Sequence, residues 1–222
     1  MSEGQYQVTE RTKLDRIAKR GVYDRETVHR ILDEGLICHV GVAVDGQPYV
    51  LPMAYGRDGD RIFLHGSVAS RLARHLAGGA PVCVTVTLVD GLVLARSGFS
   101  SSMNYRSVVV LGTPRPVTEP SEKARALDTI ADHLAPGRSR EQRPAKPKEL
   151  AATQVLELPL TEVSAKVRTG PPEDLAQDVG LPVWAGVLPL HQASGEPEPA
   201  PDLPAGVDLP RSLDPWRRPA GS

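Results

Sequence analysis

Residues 36–65 read LICHVGVAV (36–44), Asp45-Gly46, QPYVLPMAY (47–55), GRDGD (56–60) and RIFLH (61–65). Three apolar runs rich in β-branched residues, parted by short polar breaks, predict three neighbouring antiparallel strands. Asp45-Gly46 fits the tightest hairpin connection, in which both central residues take positive φ. Arg57-Asp58-Gly59-Asp60 makes the second turn. Working outward, Asp24 predicts a helix cap, because its carboxylate can accept the free first-turn amides. Val28, Ile31 and Leu32 follow at helical spacing, and Gly35 stops the element. Downstream, Val68, Leu72 and Leu76 recur every four residues, with Arg71, Arg74 and His75 on other faces, so a short amphipathic helix with its N-terminus at Ser67 is expected.

Beyond Gly79 the period of two returns. PVCVTVTLV (81–89), an Asp90-Gly91 turn and LVLAR (92–96) read as another strand pair. The polar loop SGFSSSMN precedes YRSVVVLGTPRPV (105–117), a helix is expected over 119–134, and TQVLELPL (153–160) and EVSAKVR (162–168) close the series. Most of these links are too short for a crossover, which disfavours a parallel βαβ architecture. The expected class is therefore mainly β, a closed antiparallel barrel with peripheral helices.

The 222 residues carry 26 Lys+Arg against 27 Asp+Glu, so no basic field exists for gripping nucleic acid. No apolar run reaches the length that would span a bilayer, and the N-terminus lacks the apolar stretch of a secretory signal, so a cytoplasmic protein without membrane attachment is expected. Cys38 and Cys83 sit in apolar strand runs and read as buried, reduced thiols. The 21 prolines gather in 136–147 and from Pro197 onward. The expected organisation is an arm over 1–19, one domain over 20–192, and an extended or disordered Pro-rich tail over 193–222.

Three clusters carry chemistry. His65-Gly66-Ser67, with Ser70 and Arg71, gathers hydroxyls and a guanidinium around an expected helix start and suits a phosphate; an ordinary Ser-capped helix has the same pattern. Ser100-Ser101-Ser102-Met103-Asn104-Tyr105-Arg106-Ser107 offers donors to a polar ligand, or is a flexible loop. Strand alternation sends Lys166 and Arg168 to one face, as a paired cationic site or a solvated one. No metal-ligand spacing links the six histidines or the two cysteines, so no metal site is expected; His39 reads as a strand-face residue and His29, His75 and His133 as helix residues. No Gly-x-Gly-x-x-Gly or phosphate-loop lysine occurs.

Taken together, RGVYDRETVHRILDEGLICHVGVAVDGQPYVLPMAYG, FLHGSVASRLARHL, VCVTVTLVDGLVLARSGFSSSMNYRSVVVLG, SAKVRTGPP and the WAG at 184–186 resemble the pyridoxamine 5'-phosphate oxidase-like flavin-binding split-barrel proteins. The likeness is to the nitroimidazole-resistance and flavin-nucleotide-binding subgroup. It implies a six-stranded antiparallel split β-barrel that forms a homodimer with FMN at the subunit interface. By the same resemblance Val50, Leu51, Pro52, Met53 and Ala54 lie along the flavin ring, while His65, Gly66, Ser67, Ser70 and Arg71 hold its phosphate. Asn104, Tyr105 and Arg106 line the ring or come from the facing subunit, with Lys166, Arg168 and Trp184 as later contacts. His65 is the one catalytic candidate. Arg71 is followed by Leu72, so half of the oxidase's basic phosphate pair is missing, and Trp216-Arg217-Arg218 does not supply its C-terminal tryptophan-and-arginine motif. The implied function is an FMN-dependent oxidoreductase acting on a small molecule of unassigned identity. The alternatives are a flavin carrier or sensor without turnover, or the same fold holding haem or a deazaflavin.

Overall fold

Residues 4–217 are described in the computed structural model of the chain. Ten strands and four α-helices occur among them. In chain order they are β1 (Gly21–Val22), α1 (Arg25–Glu34), β2 (Ile37–Val44), β3 (Gln47–Asp58), β4 (Arg61–Ser67), α2 (Arg71–Ala77), β5 (Val82–Leu94), β6 (Ser102–Gly112), β7 (Arg115–Pro116), α3 (Pro120–Leu134), α4 (Pro147–Ala152), β8 (Thr153–Pro159), β9 (Glu162–Arg168) and β10 (Gly186–Pro189). The chain divides into two units. One comprises Met1–Pro52, Val82–Gly112 and Leu160–His191; the other comprises Met53–Pro81, Thr113–Pro159 and Gln192–Ser222.

In the first unit the strand order is β1-β9-β6-β5-β2-β3, with β10 also pairing β5. The β2–β3 hairpin turns at Asp45 (φ 52°) and Gly46 (φ 79°), the positive pair that Asp-Gly foretells. Asp24 caps α1, its Oδ1 accepting the Thr27 N–H at 2.8 Å, and Gly35 closes the helix. Val28, Ile31 and Leu32 are fully buried, and α1 packs on β5, β6 and β9. Alternation along β2 buries Cys38, Val40 and Val42 and leaves Ile37 and His39 outside. Tyr6 of the N-terminal arm is buried, with its hydroxyl 2.9 Å from His29 Nε2.

The second unit has the order β3-β4-β8-β7. Ile62, Phe63 and Leu64 are buried in succession, so β4 is covered on both faces. Phe63 packs with Val117, Ala126, Ile130 and Val155, which seats α3 on the strands. Gly56 permits that seating, because a Cβ there would lie 2.8 Å from the backbone of Thr129 and Ile130. The Pro-rich tail has little regular structure before a 3-10 turn at Arg211–Arg217. Its Trp216 Nε1–H donates to the Leu134 carbonyl at the end of α3 at 3.0 Å, and the Ser212 N–H donates to Glu141 Oε1 at 3.2 Å. Arg218 lies outside the described residues.

The mainly β antiparallel fold with peripheral helices is the one expected, with three corrections. The described residues hold ten strands, two of them only two residues long, and the hydrogen-bonded order ends at β1 and β7 without closing. Asp90-Gly91 is no hairpin turn. β5 runs straight through it and absorbs it as a bulge opposite β6, where the register shifts between Val89 and Gly91. Finally, the helix expected from Ser67 begins at Arg71, with Ser70 as its cap. β4 continues through Gly66 and Ser67 because these pair with Gln154 and Thr153 of β8, so Val68 lies outside the helix and is exposed.

Gly56→Ala forces a methyl into helix backbone that has no rotamer to yield. We expect a loss of about 3 kcal/mol of stability, read as a lower urea midpoint with an unchanged slope.

Candidate functional site

The corner at the end of β4 lies wholly in the second unit. Ser67 Oγ accepts the Ala69 N–H at 3.2 Å, Ser70 Oγ accepts the Ala73 N–H at 3.3 Å, and the Ser70 N–H returns to the Ser67 carbonyl at 2.9 Å. Each hydroxyl is therefore used as an acceptor while its proton remains able to donate outward. Arg71, the first helical residue, is exposed. His65 is half-buried on β4, and its Nδ1 is buried without a hydrogen-bond partner. Burial pushes its pKa below the usual 6.5, so the ring is neutral at pH 7. Two hydroxyls with protons still to give and an exposed guanidinium are the donor types an oxygen-rich anion takes, while the orphaned imidazole nitrogen is enclosed within the fold. Because α2 has only seven residues and starts at Arg71, the serines and the guanidinium carry that fit, rather than the helix dipole.

The polar residues of β6 and β9 lie in the first unit. Arg106 is engaged within the fold. Its Nη2 donates to Glu34 Oε1 at 2.7 Å and to Asp90 Oδ1 at 2.7 Å, its Nε donates to Asp90 Oδ2 at 3.0 Å, and its Nη1 completes a fork on Glu34. The hydrogen bonds to Glu34 and then Asp90 raise its pKa further above the ordinary arginine value. The carboxylates of α1 and of the β5 bulge are thus its partners. Arg168 is buried and grips the chain that follows it: Nη1 bonds Asn104 Oδ1, and Nη2 reaches the Pro171 carbonyl at 3.3 Å. Asn104 Nδ2–H in turn donates to the Gly170 carbonyl at 3.2 Å. Tyr105 pairs with Arg168 across the ladder, and half-buried Lys166 pairs with Ser107. A second anchor escaped the sequence reading. The Arg96 N–H and guanidinium both bond Asp174, holding the segment beyond β9. Its only signal in the sequence is the acidic pair Glu173-Asp174 just after Pro171-Pro172.

Val50, Leu51 and Pro52 are exposed in the first unit, and Met53 and Ala54 are half-buried in the second. Trp184 is exposed, with its ring against Gly186. Cys38 and Cys83 are free thiols, and burial pushes Cys38 up to about 12. Among the described residues no three His, Cys, Asp or Glu side chains gather closely enough to hold a metal ion, and no helix is long and apolar enough to cross a membrane.

The model of the pyridoxamine 5'-phosphate oxidase family matches residues 24–167, and the chain belongs to that family. Among solved structures it is similar to the flavocytochrome Anf3 from Azotobacter vinelandii, with 41% identity over 94% of this chain and 97% of that one, TM-score 0.88. It is also similar to an FAD and heme binding protein from Mycobacterium smegmatis, with 40% identity over 89% of this chain and 97% of that one, TM-score 0.85. A candidate 5-nitroimidazole antibiotic resistance protein from Bacteroides thetaiotaomicron matches at 26% identity over 66% of this chain and 86% of that one, TM-score 0.57. No similar sequence was found among curated proteins.

His65 gives the site a pH signature. Its folded pKa is depressed, so below 6.5 the unfolded chain binds a proton that the folded ring resists, and stability falls as the pH drops. Denaturation midpoints at about pH 7.5 and about pH 5 should differ less in His65→Gln than in the parent.

Proposed function

We propose that the chain is a flavin- and haem-binding redox protein of the flavocytochrome kind, passing electrons to or from a small-molecule partner. The observation that carries this reading is that two relatives at 40% identity or above match along nearly the whole of their own length, one described as a flavocytochrome and the other as an FAD and heme binding protein. Bound flavin would supply hydride or single-electron chemistry, and haem single-electron chemistry. The chain's part is to hold and orient. Ser67 and Ser70 donate hydroxyl protons to a phosphate, Arg71 adds a charged fork, and neutral His65 offers a ring nitrogen to the same ligand.

FMN is the flavin the sequence implies, but one relative is described by FAD and the other as a flavocytochrome, and we favour FAD. Chromatography of the flavin released on denaturation distinguishes the two. A second copy of the chain is proposed to cover the start of β3. Gln47–Pro52 are all exposed, although β3 lies inside the strand order, and Tyr49, Val50 and Leu51 present apolar surface on both faces. Free Cys38 and Cys83 accord with the reducing cytoplasm.

The purified protein should show both flavin bands and a Soret band, and a colourless protein that takes up neither cofactor overturns the reading. Arg71→Ala should weaken flavin binding about ten-fold through loss of a charge-assisted contact, measured by fluorescence titration. Val50→Asp should shift the sedimentation coefficient from dimer to monomer.

A further inference from the structure

We propose that the groove between the Pro-rich tail and the end of α3 binds a small organic cation, an ammonium on a compact apolar body. The inference is independent of the flavin and haem reading and concerns another place on the chain. The groove lies wholly in the second unit and has a volume of about 870 Å³, which suits a small molecule. Leu134 and Ala135 from the end of α3 and Leu203, Leu209 and Leu213 from the tail supply its apolar lining. Leu203 and Leu209 are 45% and 51% exposed, so apolar surface is left there for a ligand to cover.

The tail is fastened where it forms the groove. Trp216 Nε1–H holds the Leu134 carbonyl, and the Ser212 N–H holds Glu141 Oε1. Ser194 Oγ–H donates to the Trp216 carbonyl, which ties the two ends of the tail together. Residues 192–210 form no strand or helix. Pro197, Pro199, Pro201 and Pro204 restrict the backbone between those ties, and Gly206 (φ 84°) supplies the left-handed residue of a turn. Proline leaves such a segment fewer unfolded states to lose, so it serves as a standing wall without a ladder of its own.

Charge selects the occupant. Four ionisable side chains line the groove, namely Arg138, Glu141, Glu198 and Asp208. Arg138 pairs with Glu141 at 4.0 Å, and Glu141 also accepts the Ser212 N–H. Glu198 and Asp208 form no ion pair among the described residues. Ser212, in the same lining, is 2% exposed, and its Oγ is buried without a hydrogen-bond partner. The groove thus offers two unmatched carboxylates and a hydroxyl oxygen able to accept, set among leucines. A primary ammonium carries three donors and no acceptor and answers all of these groups, whereas an anion meets like charge.

The test uses the full-length chain carrying Trp184→Phe, so that of its two tryptophans only Trp216, bonded to Leu134, reports. Adamantylamine, adamantanol and adamantane carboxylate share one apolar body and differ in charge. Each is titrated by calorimetry and by Trp216 emission. The amine should bind saturably, about five-fold more tightly than the alcohol at low salt, and the carboxylate most weakly. Glu198→Gln/Asp208→Asn, at two exposed positions, should bring the amine to the affinity of the alcohol with the thermal midpoint unchanged. Leu203→Ser should weaken the amine and the alcohol alike. Equal affinities for amine and alcohol, or tightest binding of the carboxylate, overturns the proposal. An amine preference that survives in the double variant overturns it by placing the cation elsewhere, and so does the binding of none of the three.

Discussion

The ladder between β5 and β6 is the constraint on which the first unit depends. It runs from Val82–Gly112 to Val93–Ser102, and β5 also pairs β2 along its first half and β10 along its second. So long a strand must twist and bend to serve three neighbours, and the bulge at Asp90-Gly91 supplies the bend. Arg106 then fixes it. One guanidinium forks onto Asp90 in the bulge and onto Glu34 at the end of α1, tying helix, bulge and ladder together. With two carboxylates around one arginine, the cluster carries a net negative charge and the guanidinium has little capacity left for a further anion.

The first unit uses other arginines in the same structural way. Arg106, Arg168 and Arg96 bond carboxylates, carbonyls or an amide oxygen of the first unit, although the Nε of Arg168 and of Arg96 is buried without a partner. Ser67, Ser70 and His65 differ in kind. Their capping bonds leave the hydroxyl protons free, and one ring nitrogen is buried without a partner. A buried polar atom left unmatched costs stability unless something else satisfies it, so a group that reached His65 Nδ1 would recover that cost.

Much of the fold was legible because local chemistry and tertiary position agreed. Asp24 and Gly35 bound α1 as their types dictate, and Asp45-Gly46 turns where two strands must reverse. The misreadings have one cause. Asp90-Gly91 carries the same letters as Asp45-Gly46, but a dipeptide that tolerates unusual backbone geometry serves a bulge as readily as a hairpin, and the neighbouring strands select between them. Ser67 likewise looked like a helix start, yet pairing with Thr153 held it in β4, because a ladder bond to a distant strand outweighs a local capping preference.

The sequence by itself determined the mainly β class, the helix limits at α1, the hairpin at Asp45-Gly46 and the residues grouped around His65, since each rests on periodicity or on a conformational demand within a few residues. Only the tertiary structure decided which arginines are engaged and that β5 continues past Gly91. It alone brought the Pro-rich tail against the end of α3. Many of those outcomes depend on contacts between segments far apart in the chain (Glu34 and Arg106 are 72 residues apart, Arg96 and Asp174 78), and no local pattern encodes which carboxylate or which strand edge a distant side chain will meet.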